Sequence, residues 1–149
     1  MKRALLLMFL CILGIAAKAD STLPFAEALD FIKNADAVYL CYSPSISDRP
    51  RTQADRSKWE KVSGNTKQQL IDIFSQKDNY FKGSWGVSEG PAADHIRVFF
   101  QKGTNNLVLT CGFGILDGTF HRKHITGLLN IEATKQIQMI KNDFLREKL

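Results

Sequence analysis

The chain has 149 residues with 20 Lys and Arg, 15 Asp and Glu and three Cys, which is the size of one domain. Its formal net charge of +5 depends on its first residues, because removing residues 1–19 takes away three cations and no acid and leaves +2 on the remaining 130 residues. A charge this small argues against nucleic acid as a partner, since nucleic-acid binding usually needs a clustered basic face.

Residues 1–19 have the pattern of a secretory signal peptide. Lys2 and Arg3 precede an apolar stretch over residues 4–15, and small residues at positions 17 and 19 come just before Asp20. The stretch is shorter than the ~20 residues that a transmembrane helix needs. We therefore expect cleavage before Asp20, a single domain over residues 20–149, and an exported protein, periplasmic or extracellular, with no stable membrane anchor after cleavage.

Two cysteines remain after the expected cleavage, because Cys11 leaves with the leader. Cys41 and Cys111 in an oxidising compartment are a natural pair, so the sequence predicts a disulfide between them. The alternative is two separate buried thiols that behave as small apolar side chains.

The first half of the remaining chain predicts two helices around one strand. Thr22 and Pro24 have the form of a helix start, and the apolar side chains of residues 25–32 recur at helical spacing. Residues 37–42 are short and apolar on both faces, which is typical of a buried strand. After an excursion over residues 43–64, Thr66 and Gln69 resemble a capping box that opens the second helix.

The second half predicts a hairpin, a further strand and a last helix. Residues 96–101 and 107–113 alternate in hydrophobicity around a five-residue turn, and a run over residues 113–120 is interrupted at Asp117 and Gly118. Asn130 is positioned to cap an amphipathic helix whose apolar residues recur at steps of four, three and four. The sequence thus predicts an α+β fold with an antiparallel sheet of about four strands and helices packed on one face.

Three histidines are the residues most suited to catalysis or metal binding. His121 and His124 could bind a metal ion or an anionic partner, or lie in a solvated turn, and His95 could act as a general base. The rest of a metal or catalytic constellation is not specified, and no nucleophile motif is present. We therefore predict no catalytic, metal or cofactor site.

The long excursion offers a different kind of site. Arg49, Arg51, Arg56 and Trp59 combine cations with an aromatic side chain of the sort that is enriched at interfaces, which favours an acidic, partly apolar protein partner. Alternatively, Trp59 anchors the loop to the core. The leading hypothesis is a non-catalytic binding, inhibitory or immunity-type protein of the cell envelope. The alternative is a small exported hydrolase or metal-dependent enzyme that uses His95 or the pair His121 and His124.

Overall fold

A computed structural model describes residues 21–43, 59–82, 95–112 and 114–147 of the chain. The expected signal peptide and three of the expected contact residues (Arg49, Arg51 and Arg56) lie outside the described residues. Among the described helices, none combines the length and apolar character that crossing a bilayer requires.

The described residues form seven strands, three α-helices and one 3₁₀ turn. In chain order, the elements are β1 (Ser21–Thr22), α1 (Ala26–Lys33), β2 (Ala37–Ser43), β3 (Glu60–Val62), α2 (Gly64–Ser75), a 3₁₀ turn (Lys77–Asn79), β4 (His95–Lys102), β5 (Asn105–Gly112), β6 (Ile115–Phe120), β7 (Lys123–Leu128) and α3 (Ile131–Arg146).

All seven strands of the described residues belong to one sheet, in the order β1-β7-β6-β5-β4-β2-β3. Six of them, β2 to β7, pair antiparallel with their neighbours, and only the two-residue β1 runs parallel to β7. The α+β class is therefore confirmed, but the expected number of about four strands is wrong. β3 is only three residues long, and β7, which the sequence did not indicate, follows a turn that contains no glycine.

One face of this sheet and the three helices share the hydrophobic core. In the register of β2, β4 and β5, Leu40 lies opposite Val98, and Val98 lies opposite Leu109; all three side chains are fully buried. The core cluster joins these residues to buried residues of every helix, among them Ile32, Phe74 and Ile137. The residues that alternate with these along each strand point to the opposite surface of the sheet, here called the outer face.

The helix boundaries differ from expectation at two of the three starts. α1 begins at Ala26, not near Thr22, because Ser21 and Thr22 pair with β7 as a strand. α2 begins at Gly64 after Ser63, two residues before the expected capping box, and no side-chain cap bonds its start. The start of α3 is confirmed: Asn130 accepts a 2.8 Å hydrogen bond from the Ala133 amide.

The predicted disulfide is wrong, because Cys41 and Cys111 lie on opposite faces of the sheet. Cys41 pairs with Arg97, whereas Cys111 pairs with Ile96, the preceding residue of the same strand. Successive side chains of a strand point to opposite faces, so the two thiols have a sheet between them. Both are buried, and their sulfur atoms are not bonded to each other.

The expected interruption at Asp117 and Gly118 is also absent from β6. Asp117 and Gly118 keep regular register with Thr126 and Ile125 of β7. Gly118 lies on the crowded core face, where an added Cβ would lie 2.9 Å from the Leu109 Cδ2 atom. The glycine therefore permits close packing within a continuous strand, as glycines in strands often do.

Candidate functional site

The outer face of the sheet carries a cluster of three aromatic side chains. Tyr39 of β2 lies opposite Phe99 of β4, and their rings are 5.5 Å apart in an edge-to-face arrangement. The ring of Trp59, just before β3, lies 5.6 Å from the ring of Phe99. Phe99 is only 8% exposed, whereas Tyr39 and Trp59 are half-buried. The cluster thus has a buried centre and two rings that reach solvent.

Two cations flank this aromatic cluster. Lys61 of β3 lies opposite Tyr39 and is exposed, and Arg97 of β4 lies opposite Cys41 and is half-buried. Because of the sheet register, both belong to the outer face. We call these five residues the outer-face patch: Tyr39, Trp59, Lys61, Arg97 and Phe99. Its aromatic centre and cationic flanks are suited to an acidic, partly apolar surface.

A polar strip continues the outer face across β6 and β7. The Asp117 carboxylate contacts the His124 Nε2 atom at 2.5 Å, and both side chains are partly exposed. Thr119 lies opposite His124, and Thr126 lies opposite Asp117. A carboxylate that contacts an imidazole can orient it and stabilise its charged form.

The structure does not bring His121 and His124 into one site. His121 lies in the turn before β7, where its ring packs on Phe31 and Phe120 and its Nε2 atom is 3.7 Å from the Glu27 Oε1 atom. His124 instead contacts Asp117 on the outer face. Within the described ranges, no three His, Cys, Asp or Glu side chains converge to hold a metal ion.

His95 is placed apart from the other two histidines. It is the first residue of β4 and pairs with Ser43 of β2. Strands β5 and β6 separate β4 from β7, which carries His124. The three histidines therefore occupy three different places in the fold.

Cys111 lies deep in the core, where Lys141 of α3 acts on its thiol. Burial raises the pKa of its thiol to about 12, although the Gly114 backbone and the Lys141 ammonium act in the opposite direction. Lys141 is only 4% exposed, and its Nζ atom lies 5.8 Å from the centre of the Tyr42 ring. A thiol with a raised pKa is a poor nucleophile, so the environment of Cys111 favours a structural role.

Of the expected contact residues, the structure describes Trp59 alone, and it lies within the outer-face patch. Sequence reasoning missed the rest of the patch. Tyr39 lies on β2, which is apolar on both faces, so periodicity did not separate the outer face of that strand from the core. Phe99 lies on β4, whose alternation gives its face but not its neighbours. The register between β2 and β4 places Phe99 beside Tyr39.

These observations define an α+β protein with one helix-covered sheet face and an aromatic, cationic patch on the other. The chain matches no protein-family model, and comparisons with curated proteins and with solved structures find no significant match.

Proposed function

We propose that this chain is a non-catalytic binding protein of the cell envelope, of the inhibitory or immunity type, and that its outer-face patch binds an acidic, partly apolar protein surface. The observation that carries the proposal is the Phe99 ring, packed between Tyr39 and Trp59 and flanked by Lys61 and Arg97. Tyrosine, tryptophan and arginine are the side chains that most often dominate binding energy at protein interfaces.

The rigidity of the patch supports a role in recognition. Tyr39, Phe99 and Arg97 project from central strands whose backbones are paired on both sides. Side chains held on paired strands lose little conformational freedom when a partner binds, so less of the interaction energy is offset by ordering. The cations add long-range attraction to an acidic partner, and this attraction decreases with increasing salt.

Export is part of the proposal, and it rests on the leader pattern of residues 1–19. The proposed location is the periplasm or the outside of the cell. Intact-mass measurement of the protein purified from its native host tests this directly. A chain that begins at Asp20 supports export, whereas a chain that retains Lys2 and Arg3 contradicts it.

The Asp117–His124 contact supports a second candidate function, a hydrolase in which His124 acts as general base and Asp117 orients its ring. This enzyme differs from the one expected from the sequence, because it uses neither His95 nor His121. Its test is a hydrolase substrate panel with the wild type and the His124→Asn variant. Turnover that His124→Asn abolishes would favour the enzyme over the binder.

The binding function is tested with a photo-cross-linking residue placed at Lys61, which is exposed and lies within the patch. The matched control carries the same residue at Lys135, which is exposed on α3. We expect an adduct with an acidic envelope protein from position 61 alone. Equal adducts from both positions, or none from position 61, would contradict the assignment of the patch.

The captured protein then allows the affinity to be measured. We expect Lys61→Glu to weaken binding by about tenfold, mainly through slower association, because it reverses a charge facing an acidic partner. Lys135→Glu makes the same charge change outside the patch and should leave the affinity within about twofold. Trp59→Ala should weaken binding further, and Phe81→Ala is its control because Phe81 is an aromatic residue exposed elsewhere.

A further inference from the structure

The turn between β6 and β7 has an unusual composition. Phe120 and Lys123 pair across the hairpin, which leaves a two-residue turn of His121 and Arg122 with φ angles of +48° and +64°. Positive φ at both central residues is the type I′ geometry, in which Asn and Gly are the usual residues. Non-glycine residues in this region are strained, and such strain often marks a ligand-binding site.

A cavity of about 420 Å³ opens beside this turn, a volume within the usual range for small-molecule sites. We call it the hairpin-tip pocket; its lining residues are Phe25, Glu27, Phe120, His121, Lys123 and Ile125. It lies between the start of α1 and the tip of the β6–β7 hairpin and is distinct from the outer-face patch.

Part of the pocket lining is apolar and firmly held. The Phe120 and Phe25 rings are 6.0 Å apart, and the His121 ring packs 4.1 Å from the Phe120 ring. Phe120 and Ile125 are buried in the core, so their positions are fixed by packing. Phe25, which is half-buried, offers the apolar surface on which an aromatic group of a ligand can stack.

The pocket also carries both signs of charge. Glu27 is 72% exposed in its side chain, and its Oε1 atom is 3.7 Å from the His121 Nε2 atom. Lys123 is exposed on the first residue of β7. A carboxylate and an ammonium in one lining, with an imidazole that can donate a hydrogen bond, are complementary to a ligand that carries one positive and one negative group.

We infer that the hairpin-tip pocket binds a small zwitterion with an apolar side chain, namely a free aromatic α-amino acid. Glu27 accepts hydrogen bonds from the ligand ammonium, Lys123 and His121 donate to its carboxylate, and its ring packs on Phe25 next to the buried Phe120 side chain. Phosphocholine is also a zwitterion, but Lys123 and His121 lie next to the aromatic rings and disfavour a quaternary ammonium there.

The experiment is calorimetric titration of the full chain with three probes. L-phenylalanine carries both charges, L-phenylalaninamide lacks the carboxylate, and N-acetyl-L-phenylalanine lacks the ammonium. We expect the wild type to bind L-phenylalanine most tightly and each single-charge probe about tenfold more weakly, since a hydrogen bond to a charged group is worth about that factor.

Two variants locate the site. Lys123→Met should weaken the binding of L-phenylalanine and N-acetyl-L-phenylalanine about tenfold and leave the affinity for L-phenylalaninamide unchanged. Glu27→Gln should weaken the binding of L-phenylalanine and L-phenylalaninamide and leave the affinity for N-acetyl-L-phenylalanine unchanged. Lys135→Met and Glu132→Gln are matched controls on exposed positions of α3. Both variants replace exposed side chains, so unchanged melting curves verify the fold.

The crossed pattern of losses would confirm the pocket and the orientation of the ligand. Lack of L-phenylalanine binding by the wild type would overturn the inference, as would equal affinities for the three probes in every variant. Tighter binding of phosphocholine than of L-phenylalanine would also overturn it, because the ligand class would then be a quaternary ammonium.

Discussion

The hydroxyl group of Tyr80 donates a 2.7 Å hydrogen bond to the carbonyl oxygen of Phe74, near the end of α2. The last carbonyl groups of a helix have no partner within the helix, so this buried bond satisfies one of them. Tyr80 also forms a bridge with Leu129, just before α3. Through these two contacts, Tyr80 connects the end of α2 to the segment that joins the sheet to the last helix.

We expect Tyr80→Phe to lower the free energy of unfolding by about 1–3 kcal/mol, because the buried Phe74 carbonyl loses its donor. Urea denaturation measures the change. Tyr39→Phe removes a hydroxyl from a half-buried ring on the outer face and should change the stability by less than about 0.5 kcal/mol. Equal effects of the two substitutions would contradict the role of the bond.

The position of Cys41 and Cys111 on opposite faces of the sheet predicts that oxidation cannot join them. Peptide mapping of the native protein under non-reducing conditions should find the two peptides separate, and a reductant should leave the melting temperature unchanged. Recovery of a Cys41–Cys111 linked peptide would contradict this arrangement, because the two cysteines lie on opposite faces of the sheet and on strands that β4 separates.

The raised pKa of Cys111 predicts a loss of stability in alkali. Burial raises the pKa from its usual value of 9.0 to about 12, so between these values the folded state holds the thiol proton that the unfolded state has released. The contribution of this thiol to the free energy of unfolding is fully present below about pH 9. It declines as the pH rises to about 12, with a slope of at most ~1.4 kcal/mol per pH unit. Tyr80, whose pKa burial also raises, adds a decline of the same sign.

Urea denaturation at pH 8, 10 and 11 tests this prediction with the Cys111→Ala variant. The variant should lose less stability between pH 8 and pH 11 than the wild type, even if it is less stable at pH 8. Thr110→Ala, at the preceding position of β5, has no titrating group and should keep the wild-type slope. Identical slopes for wild type and Cys111→Ala would refute the prediction.

The strained turn at the tip of the β6–β7 hairpin predicts a stabilising substitution. Arg122 has a φ angle of +64°, which glycine adopts without steric cost, so Arg122→Gly should raise the free energy of unfolding by about 1 kcal/mol. Lys123→Gly, one residue later within β7, should lower it because glycine weakens a strand. A lower melting temperature for Arg122→Gly would show that the arginine side chain contributes more than the strain costs.

The sequence predicted elements best where one periodicity was clear. The alternation around Val98 and Leu109 identified β4 and β5, and the apolar spacing that includes Ile137 identified α3. The sequence did not predict β7, because the turn at His121 and Arg122 reaches positive φ without glycine and so gives no turn signal.

The candidate site was harder to predict than the fold, because it depends on which side of a strand is covered. β2 is apolar on both faces, so nothing in its sequence shows that Leu40 points to the helices while Tyr39 and Cys41 point away. Cys111, by contrast, shares the parity of Leu107 and Leu109 and could be assigned to the core. The wrong disulfide and the missed outer-face patch have this one cause.

The two-residue strand β1 has a consequence for self-association. It pairs with Ile125 and Thr126 of β7, and the Leu23 amide donates a further 2.7 Å hydrogen bond to the Thr126 carbonyl oxygen. Pro24 follows and has no amide hydrogen to extend the pairing. The unpaired backbone of an open strand edge can pair with a strand of another molecule. β1 covers the edge of β7 at the buried Ile125. A chain that begins at Pro24 would lose β1 and the buried Leu23 side chain, and it would gain a surface for edge-to-edge polymerisation.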